Sequence, residues 1–194
     1  MGVPVMTGSI RHKGTVLLET ERLILRRFTL QDAWSMYHNW ASDPDVTRYM
    51  TWEPHASIDT TKDLLRVWIN SYDIPDYYEW VIVTKKDNVP IGSIGAVKSN
   101  DHIRKVQIGY CIGKAWWHQG YTSEALSRLI RFFFLDVGMN RVEACHDPQN
   151  VHSGNVMKKC KMQYEGRMRQ VLRKQNVLGD ACYYAILAED FTEA

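Results

Sequence analysis

Cysteine is scarce in this sequence, the net charge is small and no apolar run is long. The four cysteines stand far apart and form no Cys-x-x-Cys pair, which argues against a disulfide framework and against a zinc site; they are Cys111, Cys145, Cys160 and Cys182. No segment approaches the roughly 18 consecutive apolar residues of a membrane-spanning helix. The first residues contain no apolar stretch typical of a signal peptide. We therefore expect a soluble protein of a reducing, cytoplasmic compartment, with no bound metal.

The charge balance argues against a protein whose main partner is nucleic acid. Lysine and arginine number 24, aspartate and glutamate 22, and the formal net charge is +2. A length of 194 residues suits one domain with a substantial core. We expect residues 1–15 to form a disordered leader and residues 16–194 to form that domain. One basic cluster keeps RNA binding as an alternative, and its members are Lys158, Lys159, Lys161, Arg167, Arg169, Arg173 and Lys174.

Periodic apolar residues divide the first half of the chain into strands and helices. Residues 16–27 are typical of a first strand. Thr29 and Ser57 are placed to begin two helices, the first of which ends near Ser42. Three strand patterns joined by short polar links then indicate an antiparallel meander. Those patterns cover residues 78–84, 90–97 and 106–112.

The second half contains a strand–helix–strand unit followed by a helix and a strand pair. Together with the first half, this order predicts an α+β fold, which is equally a mixed α/β sandwich. The predicted elements are a helix from Thr122 to just before Gly138, a strand over 141–145, a helix over 150–161, and strands over 166–172 and 181–188 around a loop containing Gly179.

Residues 108–126 lead from a strand through a glycine turn into an amphipathic helix. The first amides of a helix have no intrahelical partners and carry the positive end of the helix dipole, so they form a natural site for phosphate. Gly120 lets the backbone approach such an anion closely, and Thr122 and Ser123 add hydroxyl donors. On the glycine alone, a simple turn capped by Thr122 is the favoured interpretation. The spacing matches neither the nucleotide P-loop nor the dinucleotide-binding turn.

Three segments carry a family resemblance. Trp117–Ala125 matches a coenzyme A pyrophosphate motif, and Thr20–Arg26 matches a typical opening strand. With a third segment near residue 150, the sequence resembles the GNAT superfamily of N-acetyltransferases. Within it, the similarity is to the branch of the ribosomal-protein N-terminal acetyltransferases, and it extends from about Thr20 to Phe191. The matching residues of the third segment are Asn150, Ser153, Lys159, Glu165 and Gly166.

The resemblance implies a GNAT-like acyl-CoA N-acyltransferase fold, with a central, mostly antiparallel sheet and helices on both faces. It implies acetyl-CoA as co-substrate, an amine as acceptor and frequent homodimers. Ser153 is then the group that protonates the leaving sulfur, and Asn150 holds the pantetheine arm. The remaining implied contacts to acetyl-CoA are the strand residues Tyr110, Cys111 and Ile112, one of whose amides faces the thioester oxygen, and the turn residues His118, Gln119, Gly120, Tyr121, Thr122 and Ser123.

Some positions depart from the family pattern. His118 stands where glycine is common and Thr122 where a small residue is common, and both substitutions would narrow the phosphate site. Lys161 and Met162 replace a usual Gly-Phe pair. These departures support an alternative function, namely a non-catalytic acyl-CoA-binding sensor or partner module on the same fold.

The general base that would deprotonate the amine has several sequence candidates. Glu143, His146 and Asp147 lie on or just after the strand that precedes Asn150. A structural or exposed His146 is favoured over a catalytic one, although its ordinary pKa suits the role. Gln107 stands where the branch often has glutamate. An enzyme without a dedicated base is the remaining alternative.

The N-terminal half is rich in aromatic residues, which the resemblance places at the acceptor site. Core packing of two helices on a sheet accounts for most of them. We nevertheless expect Trp52, Tyr49 and Trp80 to contact the acceptor, and Trp52 is the strongest candidate because it lies in a polar loop. The acceptor is either a protein N-terminus or a small amine.

Overall fold

An eight-stranded sheet forms the centre of the part of the chain that the structure describes. The structure is a computed structural model, and it describes residues 9–174 and 176–192. The strands are β1 (Leu18–Glu19), β2 (Leu23–Arg26), β3 (Glu79–Thr84), β4 (Pro90–Asn100), β5 (Lys105–Ile112), β6 (Arg141–His146), β7 (Gln163–Lys174) and β8 (Val177–Leu187). Their order across the sheet is β1-β2-β3-β4-β5-β6-β8-β7.

The helices match the predicted ones closely. They are α1 (Ala33–Met36), α2 (Pro44–Thr47), α3 (Ile58–Ser71), α4 (Tyr121–Phe132) and α5 (Val151–Lys159). Short 3-10 and π-helical turns flank α1, so the predicted first helix is one helical segment over residues 30–41. Ser57 caps α3 as predicted, and Gly138, at φ +87°, ends the π-helical continuation of α4. None of the helices in the described ranges has the length and apolar character needed to cross a membrane.

The sheet is mixed but mostly antiparallel. Strands β3, β4 and β5 form the predicted antiparallel meander. Strand β5 pairs with β6 in parallel, and α4 is the crossover between them. Strand β8 is antiparallel to both β6 and β7. The predicted α+β class and the central strand–helix–strand unit are therefore confirmed.

Apolar side chains cover the sheet on both faces. Trp80 packs with Leu126, Phe133 and Met157 in the cluster on the α4–α5 side, which we call the rear face. The next residue along β3, Val81, packs with residues of α3 and the α1 segment on the opposite side, which we call the front face. This division follows from the alternation of side chains along a strand.

Two predicted boundaries are wrong. Residues 16–27 form two short antiparallel strands, because the chain turns at Thr20, whose amide donates to the carbonyl oxygen of Leu23 (3.0 Å). The first helical segment does end near Ser42 as predicted, and Pro44 begins the separate short helix α2, at a position where proline needs no amide donor. Gly179 lies inside β8 opposite Leu172, and the hairpin turns between Lys174 and Val177.

Residues 9–15 belong to the folded unit rather than to a leader. The Arg11 amide donates to the carbonyl oxygen of Val137 (2.9 Å), and the Arg27 guanidinium donates to that of Thr15 (2.8 Å). Thr15 is 1% exposed. The expected leader therefore concerns residues 1–8 alone, which lie outside the described residues.

Asp32 joins the first helical segment to the sheet. Its carboxylate accepts two hydrogen bonds from the Arg26 guanidinium on β2 (2.7 and 2.8 Å) and one from the Thr29 amide (2.8 Å). The Asp32 side chain is only 5% exposed. Burial alone would raise the pKa of Asp32, but the bonds from Arg26 and Thr29 outweigh it and hold the pKa below its ordinary value.

We expect Asp32→Ala to lower the free energy of unfolding by about 2–4 kcal/mol, because it leaves Arg26 unpaired and removes the cap of the helical segment. Because the pKa of Asp32 is lowered, this stabilisation is complete above the ordinary value of 3.8 and is lost as the pH falls through the native value. Denaturant unfolding at several pH values measures the effect. The exposed pair of Asp63 and Arg66 supplies the control Asp63→Ala, for which we expect almost no change. If Asp32→Ala lowered the free energy of unfolding as much at the most acidic pH as at neutral pH, the assignment would be contradicted.

Candidate active site

A gap opens in the sheet between β5 and β6. The two parallel strands pair only at three positions, the last of which is Gln107 opposite Glu143. Beyond it, β5 continues to Ile112 and β6 to His146 without pairing to each other. The backbone of residues 108–112 therefore has no strand partner on the side of the gap. Such an edge can bind an extended ligand through main-chain hydrogen bonds.

Tyr110 and Ser153 meet on the rear face at this gap. The Tyr110 hydroxyl donates to the carbonyl oxygen of Ser153 (3.1 Å) and lies 3.0 Å from its Oγ. Asn150 caps α5, and its side-chain oxygen accepts from the Ser153 amide (3.3 Å). The structure thus brings together three residues that the sequence singled out, and the side chain of Tyr110, not only its backbone, contacts Ser153.

Both hydroxyls of this pair carry their protons near neutral pH. Burial raises the pKa of Tyr110 well above its ordinary value, although the hydrogen bond with Ser153 acts in the opposite direction. A proton held on one hydroxyl is within one hydrogen bond of the other. The pair can therefore deliver a proton to a group that becomes basic inside the gap.

The predicted phosphate site lies at the start of α4. Gly120 precedes the helix at φ +81°, a left-handed conformation that favours glycine, and no side chain caps the first amides. The Ser123 hydroxyl is already occupied, because it donates to the Gly120 carbonyl oxygen (2.9 Å). Thr122 is 9% exposed and is one of the buried residues of α4. The main chain rather than these hydroxyls is therefore what the turn offers to an anion.

The turn itself is held in shape by its neighbours. Gln119 donates its side-chain amide to the Ala115 carbonyl oxygen (2.9 Å), and Arg22 donates to the carbonyl oxygen of Gln119 (3.1 Å). The Arg22 guanidinium also lies 4.5 Å from the centre of the Tyr121 ring. Glu124, in the first turn of α4, accepts from the Thr20 hydroxyl and from Arg22, so the β1–β2 turn braces the helix start.

His118 has a left-handed backbone conformation, which glycine adopts more easily than other residues. This explains why glycine is the usual residue at this position in the family that the sequence resembles. The φ of His118, +61°, lies in the left-handed region, where a residue with a Cβ is strained. The exposed imidazole packs edge-on against that of His152, in the first turn of α5, with ring centres 4.8 Å apart. The contact joins the phosphate turn to the helix that carries Ser153.

Two of the sequence candidates for a general base, Glu143 and His146, have other contacts. Glu143 pairs with Lys105 (2.9 Å) and Arg141 (3.0 Å). His146 is buried on the rear face beneath α5, so closely that a Cβ at Gly154 would lie 2.7 Å from its Nε2. Its Nδ1 lies 2.8 Å from the carbonyl oxygen of Asp147. These contacts agree with a structural role for His146.

The aromatic candidates for acceptor binding divide into two groups. Trp52 and Tyr49 are partly exposed, in the loop between α2 and α3 on the front face. Trp80 is 0% exposed on the rear face, where its indole donates to the Val16 carbonyl oxygen (2.6 Å). The expectation that Trp80 contacts an acceptor is therefore wrong, because the residue is part of the core.

The β7–β8 hairpin reaches the same loop. The Lys174 ammonium group, at the hairpin end, donates to the carbonyl oxygens of Thr47 (3.3 Å) and Arg48 at the end of α2. A cation is favoured there because these carbonyl groups are the negative end of the helix. The hydrogen bonds of Lys174 thus hold the hairpin and the Tyr49–Trp52 loop side by side.

Cys111 marks the front face of β5. It is 8% exposed, and its sulfur lies 3.5 Å from the Ser93 hydroxyl on β4. Burial raises the pKa of its thiol to about 11, so the thiol is protonated near neutral pH. Ser93 and its neighbour Glu79 are polar residues of this face that the sequence reasoning missed. The only signal for them is a hydroxyl and a carboxylate within otherwise apolar strands.

The sequence matches known acetyltransferases. A family model described as an acetyltransferase (GNAT) domain matches residues 22–163. The uncharacterized N-acetyltransferase p20 of Bacillus licheniformis is 30% identical over 175 residues, which cover 90% of this chain and 97% of that protein. The [ribosomal protein uS5]-alanine N-acetyltransferase of Escherichia coli (strain K12) is 25% identical, with 91% and 93% covered. The chain therefore belongs to the GNAT family and is an N-acetyltransferase, as the resemblance implied.

The fold agrees with this assignment. The crystal structure of the microcin C7 self-immunity acetyltransferase MccE, in complex with acetyl-CoA and AMP, matches with a TM-score of 0.77. The match has 17% sequence identity and covers 87% of this chain and 93% of that chain. The GNAT fold predicted from the resemblance is thus confirmed.

The contact between Tyr110 and Ser153 predicts a measurable coupling. Tyr110→Phe and Ser153→Ala should each lower the free energy of unfolding by about 1 kcal/mol, because each removes a partly buried hydrogen bond. The double variant should lose less than the sum, by about 0.5–1 kcal/mol, because the two hydroxyls share one bond. Tyr37→Phe is the control, since no partner for the Tyr37 hydroxyl is seen within the described residues. Strictly additive losses in denaturant unfolding would show that the hydroxyls do not interact.

Proposed function

We propose that this enzyme transfers the acetyl group of acetyl-CoA directly to a primary amine. The observation that carries the proposal is the gap between β5 and β6, bordered by the Tyr110–Ser153 pair and adjoining the uncapped start of α4. An extended, anionic thioester needs an unpaired strand edge, an anion site and a proton donor near its sulfur. These three features occur here side by side.

The residues at the gap suit coenzyme A. At Gly120 an added Cβ would lie 3.4 Å from the Arg22 guanidinium at a strained φ, so only glycine keeps this approach to the amides open. The thioester supplies an activated acyl group. The residues proposed to hold acetyl-CoA are Tyr110, Cys111 and Ile112 on β5, His118, Gln119, Gly120, Tyr121, Thr122 and Ser123 at the turn, and Asn150 on α5. Of these, the turn residues contribute chiefly through their main chain.

The chain's own groups then have distinct tasks. A main-chain amide of β5 stabilises the charge that develops on the acyl oxygen, because it is pre-placed and needs no reorganisation. Ser153 supplies the proton that the departing sulfur requires. Tyr110 orients Ser153 and replaces that proton through their hydrogen bond. A serine hydroxyl is a weak acid, so this relay depends on the close contact of the two groups.

The acceptor is proposed to enter from the front face, between the Tyr49–Trp52 loop and the β7–β8 hairpin. The hairpin and the loop lie side by side, and the loop carries partly exposed aromatic side chains. This surface suits a short peptide end or an amine of similar size. The Escherichia coli relative is named as a ribosomal-protein alanine acetyltransferase. A protein N-terminus is therefore the first acceptor to test, ahead of a small metabolite amine.

Two further features belong to the proposal. The described cysteines are all unpaired, which agrees with a reducing, cytoplasmic compartment. We also propose a homodimer, on the family resemblance alone.

The function is tested with acetyl-labelled acetyl-CoA and a cell extract separated into macromolecular and small-molecule fractions. We expect label to enter an amine in one of the fractions, and protein N-termini if the peptide acceptor is right. Ser153→Ala serves as the control for contaminating activity, because it should lose turnover while it still binds acetyl-CoA. Label in neither fraction would contradict the proposed function.

Gly120→Ala should raise the dissociation constant of acetyl-CoA by about tenfold or more. The new Cβ strains a left-handed residue, which costs roughly 1–2 kcal/mol, and obstructs the approach of phosphate. Isothermal titration calorimetry measures the change. Gly179→Ala is the matched control: an added Cβ there meets nothing within 4 Å, so we expect wild-type affinity. Equal affinity of Gly120→Ala and wild type would show that the turn does not contact the co-substrate.

A further inference from the structure

Glu79 begins β3 and lies on the front face of the sheet. It stands opposite Gly95 on β4, and Gly95 in turn stands opposite Gly109 on β5. Two residues further along β3, Val81 packs in the front cluster that also contains Cys111. The alternation of side chains places Glu79 on that same face.

The Glu79 carboxylate extends across β4 because the next strand has no side chain in its path. A Cβ at residue 95 would overlap the Glu79 Oε2 and the Tyr78 carbonyl oxygen. At Gly109 the only side chain near an added Cβ belongs to Val97, whose methyl group would lie 2.7 Å away. Gly95 thus leaves room for the carboxylate to lie over β4 toward β5, where the exposed Val97 side chain covers Gly109.

The Glu79 carboxylate lies at the level where the gap begins. Pairing between β5 and β6 ends at Gln107, and Gly109 is two residues beyond it. Because Glu79, Gly95 and Gly109 are in register, the carboxylate is level with the start of the unpaired edge. It approaches from the front face, whereas Tyr110 and Ser153 lie on the rear face.

Glu79 has hydroxyl and thiol neighbours but no cation. Ser93 is near enough to lower its pKa, and the Ser93 Oγ lies 3.5 Å from the Cys111 sulfur. The other titratable groups that sense its charge are Tyr72 and Tyr77, which are neutral near pH 7. Within residues 9–174 and 176–192, no lysine, arginine or histidine pairs with it. The Glu79 side chain is only partly exposed and its surroundings are largely apolar. A carboxylate without a cation is uncommon in such a place, because its charge is poorly stabilised there.

We propose that Glu79 accepts the proton that the acceptor's ammonium group must lose before acetyl transfer. The inference rests on the proposed function. The ammonium group gives one proton to the carboxylate and becomes a free amine, which attacks the acyl carbon. As the C–N bond forms and the C–S bond breaks, nitrogen loses a second proton to solvent, and sulfur gains one from Ser153, which is reprotonated through Tyr110 from solvent. The Glu79 proton is then released to solvent.

The acidity of Glu79 matches this task. Burial raises its pKa to about 8, although the nearby Ser93 hydroxyl acts in the opposite direction. An N-terminal ammonium group has a pKa of roughly 8, so transfer between the two costs little free energy. An ordinary carboxylate would be much too weak a base.

The test compares wild type, Glu79→Gln and the exposed control Glu189→Gln with two probe nucleophiles. One is a pentapeptide amide with a free N-terminal alanine, which must lose a proton. The other is hydroxylamine, which is already unprotonated near neutral pH. We expect Glu79→Gln to lower kcat/KM for the peptide by about 100-fold or more and to leave hydroxylamine acetylation and the KM for acetyl-CoA nearly unchanged. Thermal melting checks that the variant is folded.

The outcomes separate the inference from the proposed function. Wild type that acetylates neither probe overturns both. Wild type that acetylates the peptide, with Glu79→Gln equally active, overturns the role of Glu79 alone. Equal losses with both probes would also overturn it, because a purely structural defect affects both nucleophiles.

A carboxyl titration tests the same assignment without activity. In carbon-13 NMR of the free protein, we expect one glutamate to titrate near pH 8 and to be absent in Glu79→Gln. Ser93→Ala should move its pKa further upward, because the lost hydroxyl favoured the ionised form. A Glu79 that titrates at the ordinary value of 4.5 would overturn the proposal.

Discussion

The parting of two parallel strands is the constraint on which the rest of the site depends. Strands β5 and β6 pair over three residues and then separate, which leaves main-chain donors and acceptors without partners inside the sheet. Unpaired backbone polar groups inside a sheet cost free energy, so the gap constrains the elements that surround it. Helix α4 follows β5 and α5 follows β6, and the ring contact of His118 with His152 joins the turn before α4 to the first turn of α5.

The groups proposed to donate and to accept protons lie on opposite faces of the sheet. On the rear face, Tyr110 and Ser153 present protonated hydroxyls to the gap. On the front face, Glu79 presents a carboxylate whose charge is suppressed by its surroundings. In direct contact, the carboxylate would accept hydrogen bonds from these hydroxyls and compete for their protons. The backbone of β5 keeps them apart while both remain at the level of the unpaired edge.

Much of the architecture was readable from the sequence because its signals are local. The caps at Thr29 and Ser57, the period of α4 and the turn at Gly138 each predict one element from a few neighbouring residues. The spacing of Gly120, Asn150 and Ser153 likewise pointed to the candidate site, and the structure places Asn150 and Ser153 beside the gap. The hairpin turn near Gly179 was misplaced because a glycine inside a strand and a glycine in a turn have the same sequence signature.

The rest of the site depends on distant pairings that no local pattern specifies. Trp80 was assigned to the acceptor because it is aromatic, yet its face depends on the register of β3. Glu79 gained no attention because its importance arises from glycines 16 and 30 residues away on other strands. Side-chain contact between Tyr110 and Ser153 spans 43 residues and two elements.

The contact of Lys174 with the end of α2 has a consequence for how this enzyme can diversify. The ammonium group joins a long hairpin to the loop that carries Tyr49 and Trp52, and neither segment takes part in the contact between Tyr110 and Ser153. Substitutions in the hairpin can therefore reshape the surface beside this loop and leave that contact unchanged. Under the proposed function, acceptor selectivity and acyl transfer would then evolve on separate stretches of sequence.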